Sequence, residues 1–222
     1  TLSFDEASPL QKKWALAASG ALARAITKEM LATKTLRVDW IEGSSEDGGA
    51  ARTAAVSTPA NAPAATATAP AAAKLGVTIC PGRRDRGRDL LEDIKTLQSE
   101  EVKLLVGCMT FAEMSRLGVD ELPDRCEKAG IKYLHLPTVD QGVPTKEAMA
   151  KTVQEIKSTL GEGNKVVVHC LGGLGRSGAT AACTLVSLGA SPTDAIKAVR
   201  HARGPRAVES KKQEEFALAF KD

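Results

Sequence analysis

The residues with the clearest capacity for chemistry lie in one segment, VVHCLGGLGRSG, which spans positions 167–178. A cysteine opens a loop that contains three glycines, and an arginine follows the cysteine six positions later. Glycines allow successive backbone N–H groups to turn inward as an anion-binding nest, and a following helix start adds positive potential. The pattern therefore predicts a site for a tetrahedral dianion such as phosphate. Its predicted ligands are Leu171, Gly172, Gly173, Leu174, Gly175 and Arg176.

Cys170 is the predicted nucleophile of this segment. A free cysteine has a pKa of about 8.5, which electropositive surroundings lower to about 3.5–7.5, so we expect a thiolate. In a curled loop, Arg176 would return to the anion, where its planar fork can hold two phosphate oxygens. Ser177 would donate to the departing sulfur, and His169 would order hydrogen bonds behind the loop. A buried cysteine after a strand is more often inert packing, but the combination favours catalysis.

A second loop supplies the proton donor that attack on a phosphate ester requires. Asp140 is the only acid in the segment TVDQGVP at positions 138–144, which follows a predicted strand. The alternative is that Asp140 merely caps the helix predicted from Thr145. We favour catalysis because both loops follow strands, and the carboxyl ends of parallel strands meet at one edge of a sheet. This chemistry needs no metal and no cofactor.

Alternating strands and helices must position these loops. Strands are predicted at 36–41, 75–79, 102–106, 131–136 and 165–169, and helices at 89–97, 111–117, 122–129, 145–160, 177–188, 191–203 and 209–220. This alternation predicts an α/β fold with a mostly parallel central sheet flanked by helices. The apolar run KVVVH before Cys170 is typical of a strand that is buried on both faces.

Composition limits the function classes. A net charge of +3 is too small to argue for nucleic acid, and no apolar run is long enough to span a bilayer. The five cysteines contain no CxxC pair, which argues against a disulfide framework and a zinc site. We therefore expect a monomer in a reducing compartment, the cytoplasm or the nucleus, that binds neither nucleic acid nor membrane.

The segment HCLGGLGRSG resembles the signature of the protein tyrosine phosphatase superfamily, in particular its dual-specificity branch and the kinase-associated phosphatases within it. The similarity extends over about residues 74–222 and includes the DQGVP loop and Gln213 with Phe216. The resemblance implies that Cys170 forms a phosphocysteine and that Asp140 acts first as acid and then as base. It also implies a phosphoprotein substrate, and suggests the activation-loop threonine of a cyclin-dependent kinase.

The single tyrosine bears on the breadth of substrates. Phosphatases restricted to phosphotyrosine resemble one another in having a tyrosine-bearing loop that deepens the pocket. Here the only tyrosine, Tyr133, lies on a predicted strand, so we expect phosphoserine and phosphothreonine to be accepted as well.

Two alternative functions stay open at this stage. One alternative is a phosphoinositide phosphatase. Such enzymes tend to carry lysines in the catalytic loop, whereas this loop has leucine and glycine at those positions, which argues against a lipid substrate but leaves the alternative open. The other alternative is a catalytically weak adaptor that only holds a kinase.

Three further hypotheses concern the rest of the chain. Residues 1–35 are predicted to form a helical appendage, and 36–222 a dual-specificity phosphatase-like domain with a disordered Ala/Pro/Thr-rich insertion at 44–73. Cys108, at a strand end, is either a packed thiol or a redox partner that forms a reversible disulfide with Cys170. The basic run RRDRGR at positions 83–88 is interpreted as a solvated surface.

Overall fold

The computed structural model describes residues 35–42 and 74–221. The predicted N-terminal helix and the 44–73 insertion lie outside the described residues, so the proposed division into domains stays a prediction. The strands are β1 (Asp39–Ile41), β2 (Lys74–Ile79), β3 (Val102–Gly107), β4 (Lys132–His135) and β5 (Lys165–Cys170). The helices are α1 (Leu90–Ser99), α2 (Phe111–Leu117), α3 (Leu122–Lys128), α4 (Lys146–Gly161), α5 (Gly175–Ser187), α6 (Pro192–Arg203) and α7 (Lys211–Leu218), with a 3-10 turn at Arg84–Arg86.

The strands form one sheet in the order β1-β2-β5-β3-β4. β5 pairs in parallel with β2 and with β3, and β3 pairs in parallel with β4. β1 runs antiparallel to β2. The predicted α/β fold with a mostly parallel central sheet flanked by helices is therefore confirmed. The register pairs Ile79 with Cys170, which places the cysteine at the carboxyl edge of the sheet, where α/β folds bind ligands.

Successive side chains of β5 enter two core layers on opposite faces of the sheet, as the two-residue period of a strand requires. Val166 and Val168 pack with the helices α4 to α7, whereas Val167 packs with α1 to α3. Both layers are mainly aliphatic, in keeping with an aromatic content of only 3%. Within the described ranges, no helix combines the length and the apolar composition needed to cross a membrane.

Several element boundaries differ from their predicted positions. The last helix was expected at 209–220 but begins at Lys211, because the Ser210 side chain accepts the Gln213 N–H as an N-cap. The first strand, expected at 36–41, pairs only over Asp39–Ile41. The helix α5 begins at Gly175, two residues earlier than predicted, and has no side-chain cap. Its first N–H groups are therefore left for a ligand.

Candidate active site

The loop after β5, here called the phosphate loop (Leu171–Arg176), turns sharply at Gly173. This glycine has a φ of +68°, which L side chains rarely adopt, and a Cβ here would lie 2.5 Å from the Thr78 carbonyl oxygen. By contrast, a Cβ at Gly172 would meet no heavy atom within 4 Å. Gly173 thus permits close packing of the loop on β2, whereas Gly172 leaves open space beside the loop.

The carbonyl groups of the phosphate loop are bound from its outer side by two arginines. Arg83 Nη1 donates to the Leu171 carbonyl at 2.9 Å. Arg203 donates to the carbonyls of Gly172 and Gly173 at 2.9 and 2.8 Å. The N–H and C=O of a trans peptide point in opposite directions, so the N–H groups of the next three residues point away from these arginines. None of those three donates to another group in the described residues, which is the geometry of an anion nest.

Cys170 lies beneath this nest at the end of β5. It is buried, and its Sγ lies 3.4 Å from Ser177 Oγ on the first turn of α5. His169 is fully buried, and burial lowers its pKa to about 4, so its imidazole is neutral near pH 7. Its Nε2 lies 3.4 Å from the Tyr133 hydroxyl on β4, so this imidazole is positioned behind the strand end.

Arg176 is held over the site by three partners. Its Nη1 and Nη2 donate to the two Glu113 carboxylate oxygens at 2.7 and 2.9 Å, and Nη1 also donates to the Thr138 carbonyl at 2.9 Å. Asp140 Oδ1 lies 3.0 Å from Nη2. Burial acts to lower the pKa of Arg176, but the hydrogen bond to Glu113 and the nearby Cys170, Glu113 and Asp140 together outweigh burial and raise the pKa. The buried Nε has no partner in the described part of the chain, so one N–H is left for an oxyanion.

Glu113 is a functional residue that the sequence analysis missed. Its carboxylate accepts the Thr110 N–H and closes a capping box at the start of α2. The same carboxylate forms the bidentate ion pair with Arg176, whose side chain is 2% exposed, while that of Glu113 is 12% exposed. The capping pattern Thr-x-x-Glu is visible in the sequence, but nothing local to it points to an arginine 63 positions away.

Replacing Glu113 with glutamine is expected to lower the free energy of unfolding at pH 7 by roughly 1.5–3 kcal/mol, the range for hydrogen bonds to charged groups. Burial raises the pKa of Glu113, but hydrogen bonds from Arg176 and Thr110 lower it below its ordinary value. A carboxyl with a lowered folded-state pKa stabilises the fold above its unfolded pKa, and this stabilisation is lost as pH falls through the folded pKa. Urea unfolding at several pH values measures the difference.

The difference in the free energy of unfolding between the wild type and E113Q should be largest at pH 7 and disappear as the pH falls well below about 4. Glu121→Gln is a matched control, because this carboxylate pairs with Arg125 at 2.8 Å on an exposed surface, where ion pairs contribute little. A loss in E113Q that is the same at pH 3 and pH 7 would show that the carboxylate charge is not what stabilises Arg176.

Asp140 lies on the loop after β4, and its side chain is 60% exposed. The structure assigns the N-cap of α4 to Thr145, which accepts the N–H of Ala148, so the idea that Asp140 caps this helix is wrong. The Asp140 carboxylate instead reaches the guanidinium of Arg176. The two loops that the sequence analysis paired are therefore in contact at the same edge of the sheet.

The Asp140 loop is fastened to the start of α7. Ser210 Oγ donates to the Gln141 carbonyl at 2.8 Å, and Gln213 Nε2 donates to the Gly142 carbonyl at 3.1 Å. Gln141 has a φ of +61°, an uncommon conformation for a residue with a side chain. These contacts hold the acid-bearing loop beside the phosphate loop.

Cys108 follows β3 and is fully buried. Its Sγ lies 3.6 Å from Thr180 Oγ1, and burial raises its pKa to about 12, so this thiol is protonated at neutral pH. Its N–H donates to the His169 carbonyl at 2.9 Å, next to Cys170 in the chain. The disulfide with Cys170 stays a prediction.

Cys170, Arg176 and Asp140 together line a cavity of about 270 Å³, here called the catalytic cavity. Gly172, Leu174 and Gly175 of the phosphate loop line it as well. Four of the predicted site residues lie outside the lining: Gly173, Cys108, Ser177 and His169. Ser177 nevertheless touches the sulfur, and His169 lies behind it. A thiol, a nest of amides and a guanidinium thus face a space suited to a phosphoryl group.

Comparison with known proteins agrees with this chemistry. Residues 82–190 match a family model described as "Polymorphic toxin system, DSP-PTPase phosphatase". Cyclin-dependent kinase inhibitor 3 of Rattus norvegicus is 33% identical over 152 residues, which cover 67% of this chain and 72% of the relative. A crystal structure of kinase associated phosphatase with its catalytic site cysteine substituted by serine has a TM-score of 0.69 and 26% identity, over 84% of this chain and 94% of that one. A crystal structure of PTPMT1 in complex with PI(5)P has a TM-score of 0.55 and 26% identity, over 66% of this chain and 88% of that one.

The fold and the loop from Cys170 to Arg176 define the class of cysteine-dependent phosphatases. Sequence similarity across most of a relative's length narrows this class. The chain belongs to the dual-specificity branch of the protein tyrosine phosphatase superfamily, in the family of cyclin-dependent kinase inhibitor 3. It is a cysteine-dependent protein phosphatase of the dual-specificity type.

Proposed function

We propose that Cys170 is the nucleophile, that Asp140 is the general acid and base, and that the phosphate loop with Arg176 binds the phosphoryl oxygens. The single observation that carries this proposal is the convergence of three elements on the catalytic cavity. These are the Cys170 thiol, the N–H groups opposite the bound loop carbonyls, and the Arg176 guanidinium held by Glu113. Donors fixed before the substrate arrives stabilise developing charge without reorganisation.

The proposed reaction has two steps. In the first, the Cys170 thiolate attacks phosphorus, the ester P–O bond breaks, and Asp140 gives its proton to the leaving oxygen. In the second, water attacks the phosphocysteine, Asp140 takes a proton from that water, and the P–S bond breaks. Ser177 Oγ, 3.4 Å from the sulfur, donates a hydrogen bond to the thiolate as it leaves. The products are the dephosphorylated substrate and inorganic phosphate.

We further propose that the physiological substrate is a phosphothreonine in the activation loop of a cyclin-dependent kinase. The names of the relatives support this proposal, because one is a cyclin-dependent kinase inhibitor and another a kinase associated phosphatase. We also propose that the protein acts as a monomer in the cytoplasm or nucleus, with no nucleic acid or membrane partner. The complex of PTPMT1 with PI(5)P favours a phosphoinositide as the second candidate substrate.

A substrate panel should separate these candidates. We expect kcat/KM on a phosphorylated, folded cyclin-dependent kinase to exceed that on its isolated activation-loop phosphopeptide by tenfold or more, because the folded partner contributes binding energy remote from the reacting phosphate. Phosphate release from both, and from PI(5)P in vesicles, is measured side by side. Faster turnover of PI(5)P than of either protein substrate would overturn the kinase proposal. Equal rates on the folded kinase and the peptide would show that no docking contact exists.

A further inference from the structure

A second cavity, of about 600 Å³, adjoins the catalytic cavity, and five arginines line it. We call it the arginine cavity; its arginines are Arg83, Arg86, Arg88, Arg203 and Arg206. The two cavities share Arg83, Arg86, Gly172 and Leu174 as walls, so they are continuous around one side of the phosphate loop. The lining of the arginine cavity contains no acidic residue.

Three of the five arginines already have carboxylate partners. Arg83 pairs with Asp85, Arg88 with Asp93, and Arg203 with Asp39. Arg83 and Arg203 also donate to the phosphate loop carbonyls, so they serve the structure of the loop. The interpretation of the basic run at 83–88 as a solvated surface is therefore wrong for Arg83, which is buried, and for Arg88, whose side chain is 7% exposed.

Arg86 and Arg206 differ from these three. Both are exposed, and neither has an ion pair or a side-chain hydrogen bond within the residues that the structure describes. Three of the five guanidiniums in the lining are thus engaged by a carboxylate, and the two exposed guanidiniums are available to an anionic ligand. Guanidinium is the side-chain group best suited to bidentate binding of a phosphate.

From this arrangement we propose that the arginine cavity is a subsite for a second phosphate on the substrate protein, bound by Arg86 and Arg206 while Cys170 removes the first. The inference rests on the proposed function and names a substrate class within it: peptide segments that carry two phosphates. Residues two apart in an extended chain lie about 6.6 Å from one another on the same face. A segment with two phosphates can therefore present one phosphate to each of the two adjoining cavities.

The test uses two peptides of the same sequence, assayed with the full chain. Both carry one phosphothreonine. In the first, the residue two positions away is unmodified; in the second, it bears a non-hydrolysable difluorophosphonate, so that only one phosphate can leave. We expect wild type to show a kcat/KM at least tenfold higher on the second peptide, mainly through a lower KM, because the remote anion adds binding energy.

Arg206→Glu is the informative variant, because Arg206 lines the arginine cavity and is absent from the lining of the catalytic cavity. In this variant, kcat/KM on the second peptide should fall to about that on the first peptide, and kcat/KM on the first peptide should stay unchanged. Arg206→Lys should keep part of the preference for the second peptide. Arg84→Ala is the matched control, since this arginine belongs to the same 3-10 turn as Arg86 but lines a different cavity. Its preference for the second peptide should equal that of wild type.

Each other outcome overturns the proposal in a distinguishable way. If kcat/KM of the wild type is about equal on the two peptides and turnover of the first peptide is normal, the proposed subsite is refuted, whereas the proposed phosphatase function stands. No turnover of either peptide refutes the proposed protein phosphatase function and the subsite with it. A preference of wild type for an inositol bisphosphate over the monophosphate, lost in Arg206→Glu, together with no preference between the peptides, would assign the cavity to an inositol phosphate instead.

Discussion

Cys170→Ser is expected to reduce turnover of a small aryl phosphate by about 10⁴-fold or more, the scale seen when a nucleophile is removed. A serine hydroxyl is a far weaker nucleophile than a thiolate, and the imidazole of His169 contacts Tyr133 behind the strand end, where it is not placed to activate the hydroxyl. Binding of a phosphopeptide should survive, because the loop N–H groups and Arg176 are unchanged. Steady-state phosphate release measures the first quantity, and calorimetry with a phosphothreonine peptide measures the second.

Cys126→Ser is the matched control for this variant. Cys126 is buried on α3, in the core layer on the other face of the sheet from Cys170. This substitution should leave turnover per folded molecule near that of wild type, with the folded fraction checked by circular dichroism. Turnover in Cys170→Ser above a tenth of wild type would place the nucleophile elsewhere. A wild-type protein that binds the phosphopeptide but hydrolyses no aryl phosphate would support the adaptor alternative.

Asp140→Asn should produce a loss that depends on the leaving group. For a phosphoserine peptide, whose alkoxide leaving group needs a proton, we expect kcat/KM to fall by about 10²–10⁴-fold, the usual contribution of a general acid. For p-nitrophenyl phosphate, whose leaving group departs readily as an anion, the loss should be less than roughly tenfold. We compare kcat/KM because this quantity depends on the steps up to release of the leaving group and does not depend on the later hydrolysis of the phosphocysteine.

Asp120→Asn controls for the change in net charge. Asp120 is exposed and lines a cavity separate from the catalytic one, so its loss should affect both substrates little. Equal losses on the two substrates in Asp140→Asn would show that Asp140 holds Arg176, 3.0 Å away, rather than protonating the leaving group. The contact with the guanidinium makes this alternative physically reasonable, and the comparison of leaving groups separates the two roles.

The arrangement of the site gives Arg176 two kinds of partner. Glu113 and the Thr138 carbonyl bind it from buried positions and set its orientation. Asp140 reaches it from an exposed loop, so this contact can be exchanged for a phosphate oxygen without breaking the buried pair. A buried, fixed guanidinium beside an exposed acid on a fastened loop is the combination that protonation of a departing group at the cavity mouth requires.

The local sequence was sufficient to predict the element that carries the nucleophile. A buried strand, a glycine-rich turn and a helix start lie within twelve positions, and their backbone preferences depend on near neighbours. The rule that parallel strands end at one edge was enough to bring Asp140 toward Cys170, although 30 positions separate them in the chain. The same reasoning predicted the mostly parallel sheet that the structure confirms.

Tertiary structure alone decided which charges that are distant in the chain face one another. Glu113 meets Arg176 across 63 positions, and Arg203 reaches the phosphate loop from α6, because packing of helices on the sheet sets these contacts. The basic run at 83–88 contains guanidiniums of one chemical type, yet Arg83 is buried against the loop while Arg86 is exposed at a cavity. Local preference acts over a few residues, whereas the pairing of distant side chains depends on how the whole chain packs.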